Sequence, residues 1–196
     1  MSFKKDKYLI VKKTLSRELS DFNYKYLLLK RQVAETYIST KYISPFTTDF
    51  GYFNDPQVMN TYSTYGDIAM ETLLVKLLHL TELATKLTLQ PNYAYARIYK
   101  NGDILKRHTD RFSCEISTTL NLGGDPWPIF LHNGKKDFKV NLKPGDMLIY
   151  QGVDLEHWRE PFQGKICGQV FLHYNHADGP FAKSNLYDKR PMLGIV

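Results

Sequence analysis

Two cysteines in 196 residues, Cys114 and Cys167, are too few for a fold stapled by disulfides, which excludes the small secreted scaffolds that depend on them. Both are expected to be reduced and structural. No apolar run approaches the ~20 residues that cross a bilayer. The start, Met1 to Lys7, is charged and leads into no apolar stretch with a cleavage site, so a soluble, intracellular, cytoplasmic protein without a membrane partner is expected. Internal repeats, low-complexity segments and second-domain linkers are also missing, and residues 1–196 are expected to form a single domain. Nothing in these absences speaks to oligomeric state.

What is present is a core-forming composition: 43% hydrophobic and 14% aromatic residues suit a globular chain of this length. The formal charge of +6 is concentrated at the beginning, where Lys4, Lys5, Lys7, Lys12 and Lys13 face only Asp6 within residues 1–13. A basic end of this kind differs from cations interleaved with aromatics along a groove, and it argues against nucleic acid as the partner.

Residues 16–38 hold no Gly or Pro and are rich in Leu, Lys and Glu, which predicts a helix after a short strand at Tyr8 to Val11. Residues 40–66 turn rich in Tyr, Asn, Asp, Thr and Ser and are broken by Pro45, Gly51 and Pro56, so they read as a long irregular connection, a place where lids and binding loops occur. Asp67 is placed to cap a second helix, in which Met70, Leu73, Leu74, Leu77, Leu80, Ala84 and Leu87 form one buried stripe.

After Pro91 the period becomes alternating. Eight strands are predicted, near 93–100, 104–108, 113–122, 129–132, 138–142, 147–150, 155–159 and 166–174, with turn signals such as Asn101-Gly102 and Pro144-Gly145-Asp146 between them. Helices over 1–90 followed by short strands over 91–175 predict an α+β fold: a double-stranded β-helix, or jelly-roll, barrel backed by N-terminal helices, with residues 176–196 as an arm on the barrel.

His108 and Asp110 lie two apart at a predicted strand end, where alternation points both side chains to one side. Alone this pattern is weak. His157 follows 49 residues later, beyond the turn at Gly152, and strands separated by that much chain can be neighbours in a jelly roll. Two neutral imidazoles and one carboxylate leave half of an octahedral shell open, the facial arrangement of non-haem iron(II) oxygenases, which lets a cosubstrate and dioxygen reach one ion. Other sets could draw on His132, His173 and His176, although the three-residue offset of the last two directs them to opposite strand faces.

From Tyr93 to Asn175 the chain resembles the prolyl 4-hydroxylase-like branch of the iron(II)/2-oxoglutarate dioxygenases, through RIYKNGDILKRHTD, STTLNLGG, LKPGDMLIYQG and EHWREPFQGK. The resemblance implies Fe(II) on His108, Asp110 and His157, with 2-oxoglutarate and O2 as cosubstrates and succinate and a hydroxylated C–H bond as products. It implies a cosubstrate contact for Tyr99, nine residues before His108. It also implies a basic anchor nine to eleven residues after the distal histidine, where this chain has Ile166, Cys167 and Gly168. Lys165 is the nearest match, with Arg97 and Arg159 as second and third candidates for the buried dianion's partner.

Arg111, Trp158 and the Tyr-rich loop around Tyr52 and Tyr62 are the expected substrate contacts, while Trp127, near the mouth of the pocket, reads as packing. The resemblance points to a protein or peptide side chain such as proline as substrate. A free amino acid or other small metabolite is the second reading, and a cupin-like barrel that binds without oxidising is the third. The paired arginines of the nucleic-acid demethylase branch are absent after His157.

Overall fold

Ser16 and Asp67 start the two long helices as expected, each side-chain oxygen accepting a backbone N–H three residues on, from Leu19 and Met70, at 3.1 Å. The structure is a computed structural model that describes residues 2–44 and 46–196. Pro45, one of the expected breakers, and Met1 lie outside the described residues. The helices are α1 (Phe3–Asp6), α2 (Arg17–Ser39), α3 (Ile68–Thr85) and α4 (Ala182–Asn185). The strands are β1 (Tyr8–Val11), β2 (Tyr62–Tyr65), β3 (Leu89–Lys100), β4 (Leu105–His108), β5 (Ile116–Gly124), β6 (Ile129–His132), β7 (Asp137–Val140), β8 (Met147–Gln151), β9 (His157–Arg159) and β10 (Ile166–His176). No helix among the described residues is long and apolar enough to cross a membrane.

Two antiparallel sheets form the α+β jelly roll: a six-stranded sheet ordered β1-β8-β5-β10-β3-β2 and a four-stranded sheet ordered β4-β9-β6-β7. Alternation sorts each strand of the larger sheet. Ala94, Ala96, Ile98, Val170 and Leu172 face outward and pack with Leu27, Ala34, Met70, Leu73, Leu74 and Leu77 of the helices in the main core. The opposite face carries Tyr93, Tyr95, Arg97 and Tyr99 of β3 and Cys167, Gln169, Phe171 and His173 of β10, turned toward the smaller sheet.

Several elements depart from the sequence reading. β2 lies within the stretch expected to be irregular, and pairs with β3 from Tyr62↔Ile98 to Tyr65↔Tyr95. A four-residue edge strand owes its existence to that distant partner, a signal that local pattern does not carry. β3 also begins at Leu89, before Pro91; the ladder tolerates the proline because register with β10 slips between His173 and Tyr174 at this point. A short 3₁₀ turn, Phe112–Cys114, replaces the first residues expected in β5.

The C-terminal segment is tied down through charge. Arg190 Nη2 lies 2.5 Å from Glu71 Oε1 and also donates to Asn92 O, and Gly194 N donates to the same buried carboxylate. Glu71→Gln keeps the shape and removes the charge from a 3% exposed side chain. It should cost about 2 kcal/mol, seen as a fall in Tm of about 4–8 °C, with faster tryptic cleavage after Lys189. An unchanged Tm and digestion pattern would show that the ion pair does not hold the arm.

Candidate metal centre and pocket

β4 ends and β9 begins at the site, and their ladder sets His108 directly opposite His157. This pairing closes the 49-residue gap, bringing the ring centroids to 4.3 Å. Asp110 follows β4, its N–H donating to Gly152 O at 2.8 Å. Each imidazole turns Nδ1 to a backbone carbonyl two residues earlier, His108 to Lys106 O at 2.7 Å and His157 to Leu155 O at 3.0 Å. A ring nitrogen facing a carbonyl must carry the proton, so both Nε2 atoms present lone pairs. They lie 3.7 and 3.5 Å from Asp110 Oδ1. One donor atom from each residue lies within 4.8 Å of the others, a cluster able to hold a metal ion, with the carbonyls fixing ring orientation from outside.

The environment of Asp110 and of His108 favours the ligating form of each. Burial pushes the Asp110 carboxyl up, but its polar neighbours, the His157 ring first and then His173 and the Ser117 hydroxyl, hold it below the usual carboxylate range. Burial and the neighbouring His157 lower the His108 pKa, against the opposing pull of Lys106 O and Asp110. His173 is pushed down to about 4 by burial, with Asp110 opposing, and is therefore neutral near pH 7.

Gly152 makes room for the carboxylate. A Cβ there would overlap Asp110 Oδ2 and stand 2.5 Å from Cys114 O and 2.7 Å from Ser117 Oγ. The backbone cannot retreat freely, because Gly152 N donates to Glu115 O and its carbonyl accepts from Asp110 N. Gly152→Ala should displace Asp110, weaken divalent-metal binding by at least the ~10–100-fold seen on losing an outer-shell partner, and cost about 1–3 kcal/mol by overpacking. Metal titration and thermal unfolding check this; wild-type affinity in the variant would remove the steric argument.

The three residues stand at a cavity of about 610 Å³ walled by Tyr52, Tyr65, Tyr93, Tyr95, Tyr99 and Tyr150, with Phe171, His173 and Arg111. Tyr99 is buried and on the wall, edge-on to Trp127 at 4.7 Å. Arg97 is buried nearby but already committed: it pairs with Asp55 at 2.9 Å and donates to Ser63, Gln57 and Tyr95. Arg111 lines the mouth, 2.7 Å from Asp188 and stacked over Tyr93. The loop 52–57 closes part of the cavity, and Gln57 Nε2 donates to His108 Nε2 at 3.1 Å.

Other expected contacts are not brought together. Lys165 is exposed and absent from the cavity wall: it precedes β10, so strand alternation does not govern it, and Asp125 holds its N–H at 2.6 Å. Trp158 alternates with inward-facing His157 and Arg159 and so faces outward, stacking on Phe130 with Arg107 over its ring. Tyr62 packs in the helix-side core. His132 pairs with Asp137 at 2.7 Å on the small sheet, away from the other two ligating rings.

Arg159, the third candidate, differs from the other two in its surroundings. It is 1% exposed, makes no ion pair among the described residues, and leaves Nε without a partner; its other nitrogens donate to Trp127 O, Thr119 and Gln169. Burial lowers its pKa, with Tyr99, Cys167 and Tyr150 opposing. Arg159 is not itself on the cavity wall, but it follows the wall residue His157 by two positions on β9, and a buried guanidinium lacking a counter-charge there fits an anionic ligand.

No family model and no curated protein sequence matches the chain. Solved structures do. A prolyl-4-hydroxylase from Pseudomonas putida aligns with TM-score 0.65 at 14% identity, over 87% of this chain and 94% of that one. AviO1 from Streptomyces viridochromogenes gives 0.66 at 13%, over 91% and 93%. HygX from Streptomyces hygroscopicus, with nickel, 2-oxoglutarate and hygromycin B bound, gives 0.62 at 12%, over 90% and 85%. The chain thus has the jelly-roll fold of solved iron(II)- and 2-oxoglutarate-type oxygenases, shared along most of its length.

Proposed function

We propose that this protein is an iron(II)/2-oxoglutarate-dependent oxygenase that hydroxylates a C–H bond, with His108, Asp110 and His157 holding the metal. One observation carries the reading: two imidazoles with Nδ1 tied to carbonyls aim bare Nε2 atoms beside one carboxylate oxygen at an open cavity. Two nitrogens and one oxygen suit Fe(II) and leave positions for other ligands. When bound, iron with 2-oxoglutarate and O2 supplies the oxidising power, with succinate and carbon dioxide as co-products.

The chain's own residues do the rest. Arg159 lies two residues beyond His157 on the same strand face, about 7 Å along β9, and we assign it the distal carboxylate of 2-oxoglutarate through its free Nε. Tyr99 stands on the cavity wall and is close enough to Arg159 to act on its charge. Leu105, Ile129, Cys114 and Phe171 exclude water from the cavity. Gln57 and a metal ion compete for one lone pair of His108, so the loop 52–57 must yield when the site fills.

The substrate reading is a protein side chain such as proline, supported by the fold shared with a prolyl-4-hydroxylase and by the tyrosine walls. A cavity near 610 Å³ also falls within the ~300–1,000 Å³ range of small-molecule sites, which favours a metabolite as the second reading. Oxygen-dependent release of succinate by iron-loaded protein tests the reaction class. Stimulation by proline-containing peptides supports the first substrate, and stimulation only by small molecules supports the second; no iron-dependent release under either condition overturns the oxygenase reading.

A further inference from the structure

One cross-strand row runs over the cavity face of the large sheet: Tyr150 of β8, Ser117 of β5, His173 of β10 and Tyr93 of β3. Ser117 is its junction with Asp110. Its Oγ lies 2.6 Å from Asp110 Oδ2, 3.0 Å from Cys114 O and 3.0 Å from His173 Nδ1. A hydroxyl has a single proton, and the ionised carboxylate at the shortest distance takes it. The contact with His173 is therefore made by the ring's Nδ1–H donating to Ser117 Oγ, which fixes the tautomer.

The histidine itself is held with little freedom. It is 7% exposed, and its ring lies 4.5 Å from that of Tyr93, whose phenol meets Cys114 Sγ at 2.9 Å. Phe171, two residues earlier on this face, shows that an apolar ring can satisfy packing here. An imidazole here adds a donor aimed at the one hydroxyl that grips the carboxylate. With Oδ2 gripped by Ser117 and the backbone N–H of Asp110 pinned to Gly152 O, Oδ1 is left facing both Nε2 atoms.

We propose that His173 is a positioning residue for the metal centre: its Nδ1–H orients the Ser117 hydroxyl, and Ser117 in turn fixes which way the Asp110 carboxylate points. This rests on the reading of His108, Asp110 and His157 as metal ligands. Hydrogen bonds to a ligating carboxylate set its orientation and basicity, and losing such an outer partner weakens metal binding by about 10–100-fold.

The test uses Co(II) added anaerobically to the full-length protein, read by titration and by the ligand-field absorption of the bound ion. No turnover is involved. His173→Phe keeps a ring but loses the donor, Ser117→Ala cuts the link with a smaller change, and His173→Asn places an amide N–H near the former Nδ1–H. His173→Phe and Ser117→Ala, made singly, should each weaken Co(II) binding about 10–100-fold and alter the absorption. The double variant should be no worse than the more affected single one, since both substitutions cut the same chain. His173→Asn should recover most of the affinity and the wild-type absorption.

Wild-type affinity and absorption in His173→Phe, or equal damage in His173→Asn and His173→Phe with both folded by circular dichroism, would overturn the positioning role. Losses that multiply in the double variant would also overturn it. If wild type itself binds no Co(II), the metal-site reading fails, and the proposal falls with it.

Discussion

His108→Ala and Asp110→Ala should each abolish succinate formation from 2-oxoglutarate by anaerobically iron-loaded protein exposed to oxygen. Each substitution removes one of three donor atoms that the chain brings within 4.8 Å of one another. His108→Ala leaves one imidazole and one carboxylate; Asp110→Ala leaves two neutral imidazoles and removes the negative charge that offsets the cation. The loss should exceed the ~10–100-fold typical of losing an outer-shell partner, because a direct bond to the ion is lost. Neither side chain builds the hydrophobic core, and their side chains are 26% and 14% exposed at the cavity. Thermal unfolding without added metal should therefore change little for His108→Ala, and more for Asp110→Ala, which removes the shortest of the three contacts of the Ser117 hydroxyl. Turnover surviving in both variants would dismiss the triad. Absence of turnover and of 2-oxoglutarate binding in wild type would instead favour a barrel that binds without oxidising.

The triad was legible in the sequence because each part is local or nearly so. His108-Thr109-Asp110 needs only a strand end, and His157 needs only that β9 return beside β4, as the jelly-roll topology provides. The strand parity of Tyr95, Arg97 and Tyr99, and of Cys167 to His173, was equally readable, since alternation is a property of the backbone. The remaining features depend on pairings the sequence does not display. β2 exists because β3 is there to receive it, and Gln57 meets His108 across 51 residues of chain. Ser117 and His173 became neighbours through the register of β5 with β10, which no local pattern encodes. Gly152 read as a turn residue, yet its positional demand comes from Asp110, Cys114 and Ser117 converging on its missing Cβ.

The proposed anchor for 2-oxoglutarate also turns on placement that spacing does not carry. Spacing after His157 favoured Lys165, but an offset along the chain says nothing about whether a residue lies inside its strand, and Lys165 stops one residue short of β10. Arg159 lies inside β9, on the face of His157, with its charge unmatched among the described residues. Arg159→Met separates function from stability. A buried guanidinium without a counter-ion is a poor contributor to folding, and replacing such a group by a long apolar side chain is often neutral or stabilising. The variant should keep wild-type metal affinity and a Tm equal to or above wild type. It should nonetheless lose 2-oxoglutarate affinity by roughly 30-fold to several thousand-fold, the consequence of removing one member of a buried charge pair worth about 2–5 kcal/mol. Lys165→Met, at an exposed position, should leave that affinity unchanged. A titration of 2-oxoglutarate into the metal-loaded variants decides the matter: loss in Lys165→Met with none in Arg159→Met would return the role to the lysine and require β10 to begin earlier when the dianion is bound.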